Sequence, residues 1–572
     1  MDGGSLAPRR LALIVASALA AGACQAGGPP PKALASDQTL RVAIPFDVSA
    51  IEPLDPPQIG DPLTYAIGNN VFGGLYRYDD ALRMRPDIAA GSPNVSQDGQ
   101  TYTFHLRQNA TFSNGDPVTS ADFVYSWNRA APAQSYSSLS FGAIEGYQAI
   151  VAAASAMQPL PPLSGLSAPD AHTLVVHLAA PSGGWLPALA LPSAWVVDRK
   201  AIARYGEATW WTTSAGLVGT GPFKLTSRTE KESLVFTPVP HWWGGTTGAL
   251  SRVELHVVPA GASQTEAYRS GSVDVLGFGV PWSAAGVPEL ASSQAPGLES
   301  LRSDPAHREE IRSWTFAHTE WVGFNFKAGP FSGPNGRDLR LAFSQAIDRS
   351  ALARASCAQG WSCMPATGGL ITKGLRGYLG DGADGAARFD PVKARAAIAR
   401  GDPTGSRLRG LTYTYGPASP FLNTIAKNLH DQWQANLGLD VRIRALEQGS
   451  FIAARAAGQL TLFRGSWVAD YDHPGNWFDN MFTTSADQAG NDATGSGYSN
   501  PTVDSLVAAA DRLPLDGALP GYQQAGRTLL DDHPMAVLFY YARTEVVKTY
   551  VDGYGANPLL DYRWTSIRIL SH

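Results

Sequence analysis

Between Leu408 and Leu446 the chain changes its hydrophobic period twice. LRGLTYTYG alternates like a strand, FLNTIAKNLHDQWQANLG carries Phe421, Leu422, Ile425, Leu429 and Trp433 at helical spacing, and LDVRIRAL reads as a strand again. A strand, a helix and a strand in that order predict parallel pairing through a helical crossover, and so an α/β lobe. The rest of the chain constrains where that lobe sits. Regular structure opens with the strand TLRVAIPF and returns to strands late, in MAVLFYYARTEVVKTY. An α/β middle must therefore rejoin a strand-rich part from which it departed. With 572 residues the chain exceeds one ordinary core, and two or three domains are expected.

Other segments fill in the plan. YTFHLRQNATF follows the turn SQDGQ and predicts a hairpin. TSADFVYSWNRA opens on a Ser/Asp cap signal with Phe123, Val124 and Trp127 on one helical face. HTLVVHLAAP predicts a strand, and GPFKLTSRTEKESLVFTPV two strands around a charged turn. RDLRLAFSQAIDRSALARA and DPVKARAAIARG each have apolar residues at helical spacing.

The N-terminus bears on compartment. Arg9 and Arg10 precede the apolar stretch Leu11 to Ala20, and AGAC closes at Cys24. A positive region, a short apolar region and small residues before a cleavage point form an export signal, too short for an ordinary transmembrane helix. Cys24 after small residues resembles a bacterial lipobox, which implies a diacylated mature N-terminus; plain cleavage nearby with Cys24 incidental is the alternative. The arginine pair is also compatible with twin-arginine export. GGPPPKALASDQ then reads as a tether. An exported chain meets oxidising conditions, so Cys357 and Cys363, in CAQGWSC, are expected to pair. No His stands beside them, which makes a metal site improbable. The net charge of −5 and the absence of a basic run argue against nucleic acid as a partner.

One stretch asks for a ligand. RGSWVADYDHPGNWFDNMF, Arg464 to Phe482, sets Asp470 among Trp467, Tyr471 and Trp477. A core strand avoids an unpaired carboxylate, and an exposed loop avoids so many rings. A pocket for a cationic, partly apolar ligand needs both. Catalytic patterns are missing: the chain has no G-x-S-x-G elbow, no H-E-x-x-H helix and no phosphate-binding P-loop. Asp470, Asp472 and Asp479 are the carboxylates a secreted hydrolase could use, yet nothing marks one as an acid of raised pKa. A binding protein without a cofactor is the expectation, not an enzyme.

NNVFGGLYRYDDALRMRPDIAAG, VSQDGQTYTFHLRQNATFSNGDPVTSADFVYSWNRA, GTGPFKL, VPHWWGG, YRSGSVDV, WVGFNF, RDLRLAFSQAIDRSAL, SWVADYDHPGNWFDNMF and HPMAVLFYYARTEVV together resemble, in that order, the landmarks of family 5 extracellular solute-binding proteins. These are receptors of peptide-importing ABC transporters. The resemblance implies an α/β, type II periplasmic-binding-protein-like fold: two main lobes, an inserted domain and a hinged cleft. It implies a signal peptide over 1–23, a lipidated tether over 24–37, domain I from 38–70, 191–326 and 535–572, domain II over 71–190 and domain III over 327–534. Peptide would lie between domains I and III and pass to permease subunits with their ATPases. The protein would be a monomer, held by Cys24 on the outer face of the cytoplasmic membrane.

The resemblance also assigns roles. Asp470 matches the Asp that pairs with a peptide's α-ammonium group, with Trp467 and Tyr471 as walls and the backbones of Ser466 and Val468 placed for strand-like pairing. Arg464 and Arg455 match cleft arginines that meet a ligand carboxylate or form ion pairs, and Tyr541 and Tyr136 match cleft tyrosines. Gly416 and Phe421 depart from the polar residues expected near the far end of the ligand, which leaves ligand length open. Relatives in the family take nickel complexes, haem, sugars or opines, so a non-peptide solute is the alternative; His473 is the one His of the motif.

Overall fold

The structure, a computed structural model, describes residues 33–45, 48, 51, 53–133, 137–259, 262–278, 297–357, 360–488, 494–559 and 562–572. Cys24 and Tyr136 lie outside them.

An 11-stranded sheet runs through both ends and the middle of the chain. From one edge the order is Arg442–Ala445, Thr412–Tyr415, Leu462–Val468, Ile311–Phe324, Met535–Val547, Val275–Leu276, Thr39–Ile44, Arg252–Val257, Ser233–Pro238 and Phe223–Thr229. Cys363–Pro365 pairs beside this path with Met535–Val547. Two long strands hold the halves together. Ile311–Phe324 and Met535–Val547 pair antiparallel, and their register shifts between Thr315 and Thr319. Before the shift Ile311 faces Val546, next to the N-terminal strands; beyond it, His318 to Phe324 take the motif strand as their other neighbour.

The strand–helix–strand unit forms as its periodicity predicts. Thr412–Tyr415 and Arg442–Ala445 pair in parallel, from Thr412 opposite Arg442 to Tyr415 opposite Ala445. The connecting helix, Pro420–Leu437, begins where the Ser419 hydroxyl accepts the Leu422 N–H, with Pro420 at its first position. It ends at Gly438, whose φ of 72° is cheap only for glycine. Phe421, Leu422, Ile425, Ala426, Leu429 and Trp433 form its buried face.

A separate four-stranded sheet lies within the segment expected as an insertion. Its order is Asn94–Val95, Thr101–His105, Thr173–His177 and Leu166–Asp170, all antiparallel. The SQDGQ turn joins the first two strands, and the third arrives from about 70 residues on. The helix Ser120–Ala130 covers it and buries Phe123 and Trp127 in a core of its own.

One expectation is corrected. RDLRLAFSQAIDRSALARA is two helices, Gly336–Gln345 and Arg349–Ser356. Asp348 interrupts them, because its side chain accepts the Ala351 N–H at 2.9 Å and starts a new helix. The second helix leads to Cys357, which is bonded to Cys363 with Cα atoms 5.6 Å apart.

Candidate functional site

The strand Leu462–Val468 pairs with Ile311–Phe324 along its whole length, from Phe324 opposite Leu462 to His318 opposite Val468. Gly465 permits this, since a Cβ there would stand 2.1 Å from Trp321 Nε1. The other edge is different. Thr412–Tyr415 meets the motif strand only at Leu462 and Phe463, then gives way to Gly416 and Pro417, and a proline cannot donate to a ladder. Among the described residues, no strand covers that edge from Arg464 to Val468. Ser466 and Val468 are two apart, so they present backbone groups to the same side.

Arg464 is buried and spent. Its Nε and Nη2 donate to the two carboxylate oxygens of Glu320 at 2.7 and 2.8 Å, and the Tyr541 hydroxyl donates to Glu320 at 3.3 Å. Tyr541 is itself buried and stacks on His318 at 3.9 Å between ring centroids. Burial lifts the Glu320 carboxyl above its usual range although Arg464 opposes it, whereas the pairing overcomes burial for Arg464 and holds it charged. The fork-to-fork geometry decides for an ion pair. Of the two roles open to Arg464, the structure gives it the ion pair, and the Tyr541 hydroxyl joins the same network.

Asp470 has no such partner. It lies just beyond the strand, only partly exposed, and no Arg, Lys or His comes within ion-pair distance of it among the described residues. Burial raises its pKa to about 6, against the pull of a hydrogen bond from Asn476. Asn476 is fully buried, and its amide holds three groups. Its Oδ1 accepts the Trp467 indole N–H at 2.9 Å and the Asp470 backbone N–H at 3.2 Å. Its Nδ2 donates to Asp470 Oδ2 at 3.0 Å. Only this orientation of the amide works, because an indole and a backbone N–H can only donate. Asn476 is not among the residues expected from the sequence; its signal is the polar residue inside HPGNWF, where the chain turns back toward Asp470.

The neighbouring residues belong to the fold. Asp472 accepts the Arg376 N–H at 2.7 Å with that guanidinium 3.5 Å away, although burial still raises it to about 6. Tyr471 and Trp477 pack in a second apolar core, so the expectation of Tyr471 as a pocket wall gives way to core packing. Trp467 stays half-exposed at the margin of that core. His473 is buried, its Nδ1 accepts the Gly475 N–H at 3.1 Å, and burial pushes its pKa down to about 4. Behind it, Asp479 and Asp511 are both held above the carboxylate range by burial, and the Tyr522 hydroxyl donates to Asp511.

Gly416, Phe451 and Arg455 come together away from this network. A Cβ on Gly416 would lie 2.6 Å from Phe451 Cβ, and the Arg455 guanidinium sits 5.5 Å over the Phe451 ring. Phe421 is buried 6.2 Å from Tyr541, so neither departure from the polar pattern leaves a gap.

Comparison with known proteins agrees with the fold. The periplasmic oligopeptide-binding protein OppA of Salmonella typhimurium is 27% identical over 98% of this chain and 97% of its own. The probable deoxycholate-binding periplasmic protein YgiS of Escherichia coli is 26% identical over 89% of this chain and 90% of its own. The solved unliganded open form of the periplasmic murein tripeptide-binding protein MppA superposes with a TM-score of 0.78 at 24% identity, covering 95% of this chain and 99% of that one, and so shares the fold. Residues 83–489 match the family model of bacterial extracellular solute-binding proteins, family 5, and the chain belongs to that family.

Proposed function

We propose that this protein is an extracytoplasmic receptor that captures peptides by their free N-terminus and hands them to an ABC importer. The observation that carries the reading is Asp470: a half-buried carboxylate with no cation beside it among the described residues, next to a strand edge that none of them covers. A peptide supplies what each lacks. Its α-ammonium group would neutralise Asp470, and its extended backbone would pair with Ser466 and Val468. Trp467, with its indole N–H already bound to Asn476, would offer the incoming ligand an apolar ring face. Backbone pairing reads no side chain, so sequence tolerance follows.

The remaining assignments are part of this reading: lipidation at Cys24, a monomeric receptor, a domain II over 71–190, and a cleft between domains I and III that closes on the ligand. The likeness to OppA, an oligopeptide-binding protein, supports a peptide, while YgiS, almost as similar, is a probable deoxycholate-binding protein. Native mass spectrometry of protein purified from its own host separates them. The reading expects a co-purifying set of masses that fragment as peptides; a single steroid-like or sugar-like mass would replace it.

A further inference from the structure

Asn476 makes three contacts from one buried amide, and they reach both working parts of the site: the Trp467 ring and the Asp470 carboxylate. We infer that Asn476 is the positioning residue of the amine pocket, fixing the direction of the Asp470 carboxylate and the plane of the Trp467 ring before any ligand arrives. The inference rests on the amine-capture reading and adds what makes the pocket selective.

The geometry supports preorganisation. Asp470 follows the strand, and among the described residues Asn476 is the side chain whose hydrogen bond holds its carboxylate. The Asn476 donor occupies Oδ2, which leaves Oδ1 for a ligand. The Asn476 acceptor ties down the indole, so that ring and carboxylate are held as one unit. Asn476 itself cannot drift: its N–H donates to the His473 carbonyl at 3.0 Å and its carbonyl accepts from Asn480 Nδ2 at 2.9 Å. A carboxylate fixed in advance saves the ordering cost at the moment of binding, which is where affinity is gained.

The same contact sets the pH range of capture. The Asn476 donor favours the ionised form of Asp470 and partly offsets the burial that opposes it. The other group acting on this carboxyl is its own backbone N–H, which also favours the ionised form, while burial pushes the neighbouring Tyr471 hydroxyl above its ordinary range. Removing the donor moves the protonation of Asp470 upward, and capture of an ammonium then fails at a higher pH.

The test is calorimetry across pH with an equimolar library of unblocked tripeptides and the same library N-acetylated. It uses the wild type, Asn476→Ala, Asn476→Asp, Asp470→Asn and the double variant Asn476→Ala/Asp470→Asn. Asn476→Asp keeps the shape and the one oxygen that accepts both N–H groups, but turns the Asp470-facing donor into a second carboxylate oxygen. We expect Asn476→Ala to weaken unblocked peptides roughly tenfold to a hundredfold, the range of a hydrogen bond to a charged group. The pH midpoint of binding should rise in Asn476→Asp, and Asn476→Ala should cost much less in the Asp470→Asn background. Equal losses in both backgrounds with an unmoved pH midpoint would overturn the positioning role, as would an unchanged affinity. A wild type that binds both libraries equally would overturn the amine reading itself, a result read before any variant is made.

Discussion

Arg464 and Asp470 stand at the two ends of the same short stretch, and the fold treats their charges in opposite ways. Arg464 lies within the sheet, where Glu320, two residues along the adjacent strand from its direct partner Val322, meets it with both oxygens. Asp470 lies past the last paired residue, where, among the described residues, the neutral amide of Asn476 reaches it. The first charge is fully compensated and contributes to one defined packing of three strands. The second is costly in the empty protein. On the proposed reading, this charge, left without a cation among the described residues, meets its partner in the ligand, and the uncovered edge beside it admits one.

The sharpest way to break this contrast is to strip Glu320 of its partner. Arg464→Met should cost about 3–5 kcal/mol in urea unfolding, because a buried carboxylate is left alone. The double change Arg464→Met/Glu320→Gln should recover most of that. A loss below about 1 kcal/mol in the single variant would mean that water reaches the pair.

Asp470 should respond with the opposite sign. Its pKa is raised in the folded protein, from 3.8 to about 6, so ionising it opposes folding. That cost is absent below the unfolded value, grows as pH rises, and is complete above about 6. Roughly two units correspond to at most about 3 kcal/mol. Asp470→Asn should therefore stabilise the empty protein at pH 7.5 and leave it unchanged at pH 3.5, as thermal unfolding at the two pH values would show. Destabilisation at neutral pH would make the carboxylate a structural group like Glu320.

Ligand affinity should carry the smaller, graded signature of the same group. Capture of an ammonium needs the ionised carboxylate, so affinity is present above about pH 6 and falls about tenfold per unit below it. Titration of unblocked peptides between pH 7.5 and 4.5 would show this slope, and a flat profile would exclude Asp470 from the contact.

The contrast also marks how far sequence reading reaches. The strand–helix–strand unit was legible because its signals are local: a period, the Ser419 cap and Gly438 all lie within one stretch. Asp470 draws notice for a related reason, since an acid among rings is conspicuous within a few residues. The partner of Arg464 was not legible, because Glu320 lies 144 residues upstream and meets it only once the strands pair. Asn476 was missed because its three contacts depend on the fold-back after Asp470, which no periodicity announces. The aromatic run divides: Tyr471 and Trp477 are buried in the core, and Trp467 packs at its margin, partly buried. The helix broken at Asp348 shows the limit in another form, since apolar spacing continues across the break while a cap overrides it.

The central claim is that Asp470 awaits a ligand's ammonium group, and calorimetry with one peptide library in free and N-acetylated form tests it most directly. The account predicts that the wild type binds the free peptides and rejects the acetylated ones. It predicts that Asp470→Asn loses about 2–5 kcal/mol, a factor of tens to thousands, for the free peptides alone. Equal binding of both forms by the wild type, or full affinity in Asp470→Asn, would contradict it.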